Sequence, residues 1–304
     1  MIVHTVVIKM RHFCNWFGSS GCSISGKTRR IDKQFGLPDY YIINIYSSRL
    51  FFNGLFMRVG FFVPCYVDMV APQAAISSYK LLKRLGVDVE FIDHAVCCGL
   101  PMTDMGYRCK ARNVERNLVK YLSGYDYIVI PSGVCTDQMR NEFAAVNQTP
   151  EVVHIRETSY DVVEFLHDIL RVDSLPWAHF PARVALHNGC HSLRFLHQAR
   201  PSELQIPDYS KTADLLRLVD GIEIGYATRR DECCGFGGTF TIWDQSCSGQ
   251  MGIDKVSDYE RNGFAHVVSA DFSCLLHQSC VARKLGMKIK FHYIAEILNG
   301  DAEP

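Results

Sequence analysis

The sequence predicts an α/β protein of two homologous modules. Each is a mainly parallel sheet flanked by helices, with cysteine loops at the strand carboxyl ends. Three observations lead there. Short apolar runs alternate with helical periodicity. The tripeptide Cys-Cys-Gly occurs twice, in AVCCGLPMTD (95–104) and DECCGFGGTF (231–240). Further cysteines flank both copies in the same order. With 13 Cys and 22 Gly in 304 residues, two accidental copies have a chance of roughly one in a thousand.

The first module opens with VGFFVP (59–64), a buried strand ending at Cys65. A helix follows: Pro72 suits its first turn, Ile76, Tyr79, Leu82 and Lys83 fall at helical spacing, and Gly86 ends it. VDVEFI (87–92) is a second strand leading to Cys97-Cys98-Gly99, and a helix follows near 108–122. YDYIVIPSGVC (125–135) is a third strand ending at Cys135.

The second module repeats this order. RVALHNGC (183–190) ends at Cys190, and a helix near 210–219 leads to GIEIGYA (221–227) and then Cys233-Cys234-Gly235. A helix near 247–262 leads to AHVVSADFSC (265–274), ending at Cys274, and MKIKFHYIAEIL (287–298) closes the module with a helix and a strand. Between the modules, TSYDVVEFLHDILRV (158–172) reads as an amphipathic helix with Val163, Leu166 and Leu170 on one face. PWAHFP (176–181) reads as a linker. The expected divisions are therefore 57–180 and 181–304. Residues 1–56 lack the pattern and are expected to be an extension or a mis-assigned start before Met57. Their SSGCSISGKT stretch lacks the spacing of a phosphate loop.

Composition narrows the function. Thirty-two basic and 32 acidic residues cancel, leaving no electrostatic footprint for nucleic acid or an anionic membrane. The longest apolar run (50–64) is broken by Asn53, Gly54 and Arg58, so no membrane span is expected. No signal-peptide layout is visible. An odd number of cysteines, including vicinal pairs, fits thiolates bound to metal in a reducing compartment better than a disulfide framework.

Parallel sheets gather functional groups beyond their strand carboxyl ends. Cys65, Cys97, Cys98 and Cys135 are therefore expected to converge, as are Cys190, Cys233, Cys234 and Cys274. The intervals between them, 31 and 36 residues in the first module and 42 and 39 in the second, can be closed only by a folded sheet. Four thiolates suit a four-iron cluster or one zinc ion. Gly99 and Gly235 permit positive φ and let backbone N–H groups approach a sulfur, while Gly237 and Gly238 extend GFGG into a concave nest. Simple burial is the competing explanation, and it holds for Cys109, Cys247 and Cys280, which have no counterpart in the other module. His187, His191 and His277 are candidate ligands, hydrogen-bond donors or backbone partners, and Arg194 is a candidate carboxylate partner. No dinucleotide fingerprint, Walker motif or Ser-His-Asp set is present.

These residues resemble the duplicated cysteine-rich domain found in a subunit of heterodisulfide reductase and in the iron–sulfur subunit of glycolate oxidase. The similarity is greater to the lactate utilisation protein A family. FFVPCYVDMVAP, LLKRLGVDVEF, CCGLPM, PSGVC, ECCGFGGTF, SADFSCLLH and HYIAEIL carry the resemblance. It implies a cytoplasmic, iron–sulfur-binding redox subunit of a complex oxidising L-lactate to pyruvate. It also implies a cluster held by the eight cysteines, one per module, and as partners a ferredoxin-like iron–sulfur protein and a third lactate-utilisation subunit. A zinc-stabilised scaffold, another 2-hydroxy acid such as glycolate, and thiol–disulfide chemistry are the alternatives. The chain departs from the heterodisulfide reductase pattern where Ser132 and Asp271 stand at the first position of a Cys-x-x-Cys. One sulfur is thereby lost from each module, and Asp271 is a candidate oxygen ligand.

Overall fold

A computed structural model describes residues 57–304 apart from Ala95 and Val96. The predicted extension, 1–56, lies outside the described residues. The first sheet contains β1 (Val59–Phe61), β2 (Val89–Phe91), β3 (Tyr127–Ile130) and β4 (Ser159–Asp161), in the order β2-β1-β3-β4. The second contains β5 (Arg183–His187), β6 (Glu223–Gly225), β7 (His266–Ser269) and β8 (Lys290–Tyr293), in the order β6-β5-β7-β8. Every pairing is parallel. Two parallel sheets flanked by helices are what the sequence predicts.

The apolar runs become strands because parallel sheets are covered on both faces. Val59 and Phe61 of β1 and Val184, Ala185 and Leu186 of β5 are buried. Matching register relates the two sheets: Val59 pairs with Tyr127 as Val184 pairs with His266. Phe62 and His187 therefore occupy equivalent places, each three residues before its cysteine.

In the first module the helices are α1 (Cys65–Val70), α2 (Pro72–Arg84), α3 (Leu100–Asp104), α4 (Arg108–Leu122), α5 (Gly133–Asn141), α6 (Pro150–Thr158) and α7 (Val162–Glu164). In the second they are α8 (Cys190–Arg194), α9 (Lys211–Leu216), α10 (Phe240–Trp243), α11 (Gln245–Arg261), α12 (Phe272–Lys284) and α13 (Ile294–Leu298).

The segment 158–172 departs from the predicted amphipathic helix. Ser159–Asp161 is a strand, paired with Ile128–Ile130. α7 follows and passes into a π-helical turn, Phe165–Ile169. Residues 161–166 are all buried, so no polar face remains to make the helix amphipathic. The same device recurs at the end of the second module, where β8 leads into α13, a strand before a helix rather than the reverse. Each junction carries a capping box, Asp161 with Glu164 and Tyr293 with Glu296.

One hydrophobic cluster joins both modules, taking in Phe61, Val129, Phe165 and Leu82 from the first and Val184, Val268, Tyr293 and Leu298 from the second. Each large apolar side chain so buried contributes about 1.5–3 kcal/mol. The predicted linker belongs to this core: Phe180 is fully buried and its N–H donates to Asp220 O. α2 packs on α13 and α5 packs on α8. Ser77 Oγ donates to Asp301 at 2.7 Å, and Arg84 Nη1 donates to Asn299 O at 3.1 Å. No helix among the described residues is long and apolar enough to cross a membrane.

Candidate functional site

In each sheet the chain leaves the central strands β1 and β3, or β5 and β7, toward opposite sides. A crevice therefore opens at their carboxyl ends, where parallel sheets place ligands. Cys65 starts α1 directly after β1, and Cys135 lies in the first turn of α5 after β3. Cys190 and Cys274 hold the corresponding places in α8 and α12. The vicinal pairs enter from the loops after β2 and β6.

The sulfurs meet. In the first module they form a chain of contacts: Cys65 bonds Cys97, Cys97 neighbours Cys98, and Cys98 Sγ lies 3.1 Å from Cys135 Sγ. In the second, Cys190 bonds Cys233, Cys233 neighbours Cys234, and Cys234 bonds Cys274. All eight cysteines are free thiols, buried or half-buried. The burial expected of the three unmatched cysteines holds for Cys280, in α12, but not for Cys109 and Cys247, which are exposed.

The glycine of each pair faces its sulfur. Gly99 has φ 95° and Gly235 φ 90°, conformations that exclude most side chains. Their N–H groups donate to Cys97 and Cys233 Sγ, each at 3.4 Å. Among the described residues, neither Gly237 nor Gly238 donates to a sulfur. Gly237 O instead accepts the Phe240 N–H that opens α10.

Electrostatics single out one sulfur per module. Bonds from Cys65, Cys98 and the Gly99 N–H draw the Cys97 thiol well below its ordinary range, to about 4. Cys190, Cys234 and the Gly235 N–H do the same for Cys233. Cys98 and Cys234 are pushed up, first by the neighbouring sulfurs and then by burial. The neighbouring sulfurs thus favour negative charge on Cys97 and Cys233 and oppose it on Cys98 and Cys234. A cation of soft character reverses that balance, because thiolates are its preferred ligands. The donor set and the glycine N–H groups fit a metal–sulfur centre.

The other predicted residues separate. His187 is 1% exposed; its Nδ1 lies 3.1 Å from Tyr259 Oη, and its Nε2 has no hydrogen-bond partner. A ring nitrogen of His187 and the Sγ atoms of Cys234 and Cys274 lie within 4.8 Å of one another. His191 Nδ1 instead bonds Asp137 Oδ2 across the module boundary at 2.6 Å. Burial opposes the charge on His191, but Asp137, Asp271 and Asp104 outweigh it and raise its pKa. His277 Nε2 bonds Ser248 O at 3.2 Å. Arg194 is paired with Glu203 at 2.6 Å.

Ser132 and Asp271 are engaged in local structure. Ser132 Oγ caps α5 by accepting the Cys135 N–H at 3.3 Å, and it accepts the Tyr66 hydroxyl at 2.8 Å. Asp271 Oδ1 accepts the Ser273 hydroxyl at 3.0 Å, and its carboxylate faces Gly133 of the first module. Burial raises the Asp271 pKa, and His191 opposes it.

Three residues of the site escaped sequence reasoning. Burial holds the hydroxyls of Tyr66 and Tyr259 well above the usual phenol range, and nearby charge adds to it: Asp271 and then Cys135 for Tyr66, Cys234 and Cys274 for Tyr259. Lys255 is 1% exposed, its ammonium donating to Arg229 O and Arg230 O at 2.6 and 3.3 Å. A lysine and a tyrosine four residues apart on one helix face were the only available signal.

Residues 59–140 and 184–278 match the family model described as a cysteine-rich domain, which bears the label CCG. The chain is 32% identical over 247 residues to lactate utilization protein A of Bacillus pumilus, covering 80% of this chain and 99% of that protein. Identity is 31% to the protein of that name in Halalkalibacterium halodurans (80% and 97% covered) and 30% in Geobacillus thermodenitrificans (80% and 99%). An aspartate racemase homologue from Pyrococcus horikoshii aligns at 11% identity over 80% of this chain and 95% of that one. Its TM-score of 0.25 carries no argument.

Proposed function

The chain belongs to the duplicated cysteine-rich domain family, among relatives named lactate utilization protein A, and from that membership we propose that it is an iron–sulfur redox subunit of a lactate-oxidising system. The observation that carries the proposal is the meeting of four distant thiols at the crevice of each sheet. Cys65, Cys97, Cys98 and Cys135 would hold one group, and Cys190, Cys233, Cys234 and Cys274 the other.

Oxidation of lactate to pyruvate releases two electrons and two protons, and an iron–sulfur group, when bound, accepts and passes on single electrons. The chain's own part is to hold the sulfurs and set their charge. Gly99 and Gly235 donate N–H groups to Cys97 and Cys233, which favours the thiolate form and raises the affinity for an electron. Tyr66 and Tyr259 place buried hydroxyls beside the two sulfur groups. Lactate as substrate rests on the relatives' names. Relay of electrons to a ferredoxin-like protein and a third subunit, in a reducing cytoplasm, is part of the same proposal and is supported by the resemblance alone.

Anaerobic purification with iron, sulfide and zinc analysis tests the proposal. A brown protein is expected, with Cys98→Ser and Cys234→Ser each losing about half the iron. Colourless protein, or zinc in place of iron, refutes it.

A further inference from the structure

The two sulfur groups are not equivalent. His187 is the last residue of β5, three before Cys190; the matching place in the first module, three before Cys65, is filled by the fully buried ring of Phe62. A hydrocarbon ring offers nothing to a metal, whereas an imidazole offers a nitrogen lone pair.

The His187 ring is held for that use. A neutral imidazole has one donor and one acceptor nitrogen. Nδ1 is committed to the Tyr259 hydroxyl at 3.1 Å, while Nε2 is buried with no partner. Buried polar atoms are nearly always satisfied, so an unpartnered nitrogen among sulfurs points to a missing partner. The mutual spacing of the His187, Cys234 and Cys274 ligand atoms, within 4.8 Å, is short enough for one metal ion to reach all three. Ligating histidines commonly fix the ring by donating the other N–H to a nearby acceptor, and Tyr259 supplies that acceptor. His191 and His277 are not part of that group of close ligand atoms; they bond Asp137 and Ser248 O. Lys255 turns its ammonium to backbone carbonyls.

We propose that His187 is a nitrogen ligand of the metal centre in the second module, so that this centre has a ligand set the first one lacks. The proposal builds on the premise that the sulfurs hold iron. Because imidazole binds without adding negative charge, the second centre accepts an electron at a different potential from the first.

The test is pulsed electron paramagnetic resonance on anaerobically prepared, dithionite-reduced protein carrying ¹⁵N-histidine. A strongly coupled nitrogen is expected that changes isotope with the label. It should persist in Cys98→Ser, His191→Gln and His277→Gln, and vanish in His187→Phe, which installs the residue the first module already tolerates. His187→Asn serves as a second variant should His187→Phe not fold. Iron-loaded protein with cluster signals but no isotope-sensitive coupling overturns the role of His187 and leaves the redox assignment standing. A coupling that survives both His187 variants does the same. Protein without iron overturns both.

Discussion

Alanine placed at the glycine of each Cys-Cys-Gly is a matched experiment, because the backbone strain is nearly the same and the space is not. Gly99 has φ 95° and Gly235 φ 90°. A left-handed conformation costs an alanine about 1–2 kcal/mol at either place. A Cβ on Gly99 would find its nearest neighbours at 3.9 Å (Gln138 Nε2) and 4.0 Å (Ala111 Cβ), ordinary contact. A Cβ on Gly235 would lie 2.6 Å from Ser248 O and 2.7 Å from Met251 Cβ, so α11 must move. Ser248 O is backbone, and displacing it also strains the bond from Ser248 Oγ to Gly235 O at 2.7 Å. Overpacking of this kind costs about 1–3 kcal/mol more. Gly99→Ala is therefore expected to lose about 1–2 kcal/mol and Gly235→Ala about 2–5 kcal/mol. In a chain of this size the difference is roughly 2–12 °C in melting temperature. Thermal melts of the reduced, metal-free variants measured in parallel read it directly. Equal melting temperatures, or a lower one for Gly99→Ala, would refute the steric account.

Three further outcomes follow from the buried charges and the sulfurs. Burial, with Glu164 adding to it, raises the Asp161 carboxyl from its ordinary value of 3.8 to about 8. Between those values the folded state keeps a proton the unfolded state has lost, so stability falls with rising pH by up to about 1.4 kcal/mol per unit. Asp161→Asn, whose side-chain oxygen can still accept from Val163 N–H and Gln198 Nε2, should lose that slope. Urea denaturation of both proteins at pH 5 and pH 8 checks this, and parallel pH profiles would count against it. Arg140 grips Glu164 through two bonds of 3.0 and 3.1 Å and also donates to Ser159 O at 2.6 Å. Arg140→Ala leaves a carboxylate that is 4% exposed without its partner, and should cost about 3–5 kcal/mol in denaturant titration. A much smaller loss would contradict the structural role given to this ion pair. Cys135→Ser and Cys274→Ser should each remove metal from one module only, read as half the wild-type iron per chain; loss of all iron from either variant would contradict independent centres.

What the sequence made legible was local or repeated. The run before Cys65 is apolar throughout and that before Cys190 is apolar at Val184, Ala185 and Leu186, as strands covered on both faces must be, and their order around the Cys-Cys-Gly pairs carried the sheet topology. The strands β4 and β8 were harder to see. SYD and KFHY are short, hold polar residues, and run directly into a helical turn, so the apolar spacing of 158–172 imitates a single amphipathic helix. The repeat was nevertheless present: Asp161 to Glu164 and Tyr293 to Glu296 share the three-residue spacing of a capping box. Pairs across the module boundary, such as His191 with Asp137 and Gln198 with Asp161, left no trace in the chain. They join residues tens of positions apart, and no periodicity encodes which buried acid meets which base.

Ser132 and Asp271, which stand where the heterodisulfide reductase pattern has a further cysteine, lie near the packed boundary between the modules. α5 and α8, which carry Cys135 and Cys190, pack on one another at their first turns. A Cβ on Gly133 would fall 2.1 Å from Ser192 Oγ, and one on Gly189 would lie 3.0 Å from Asp271 Cβ. The first contact joins the two modules and the second lies within the second module, beside the start of α8. A carboxylate buried there must be neutralised or hydrogen-bonded. Asp271 is held by Ser273 with His191 nearby, and Ser132 by the helix it caps. Both positions are thus engaged in local structure, with the Asp271 carboxylate beside Gly133 of the first module. Such packing ties the two modules into one core, with the start of α5 seated against the start of α8.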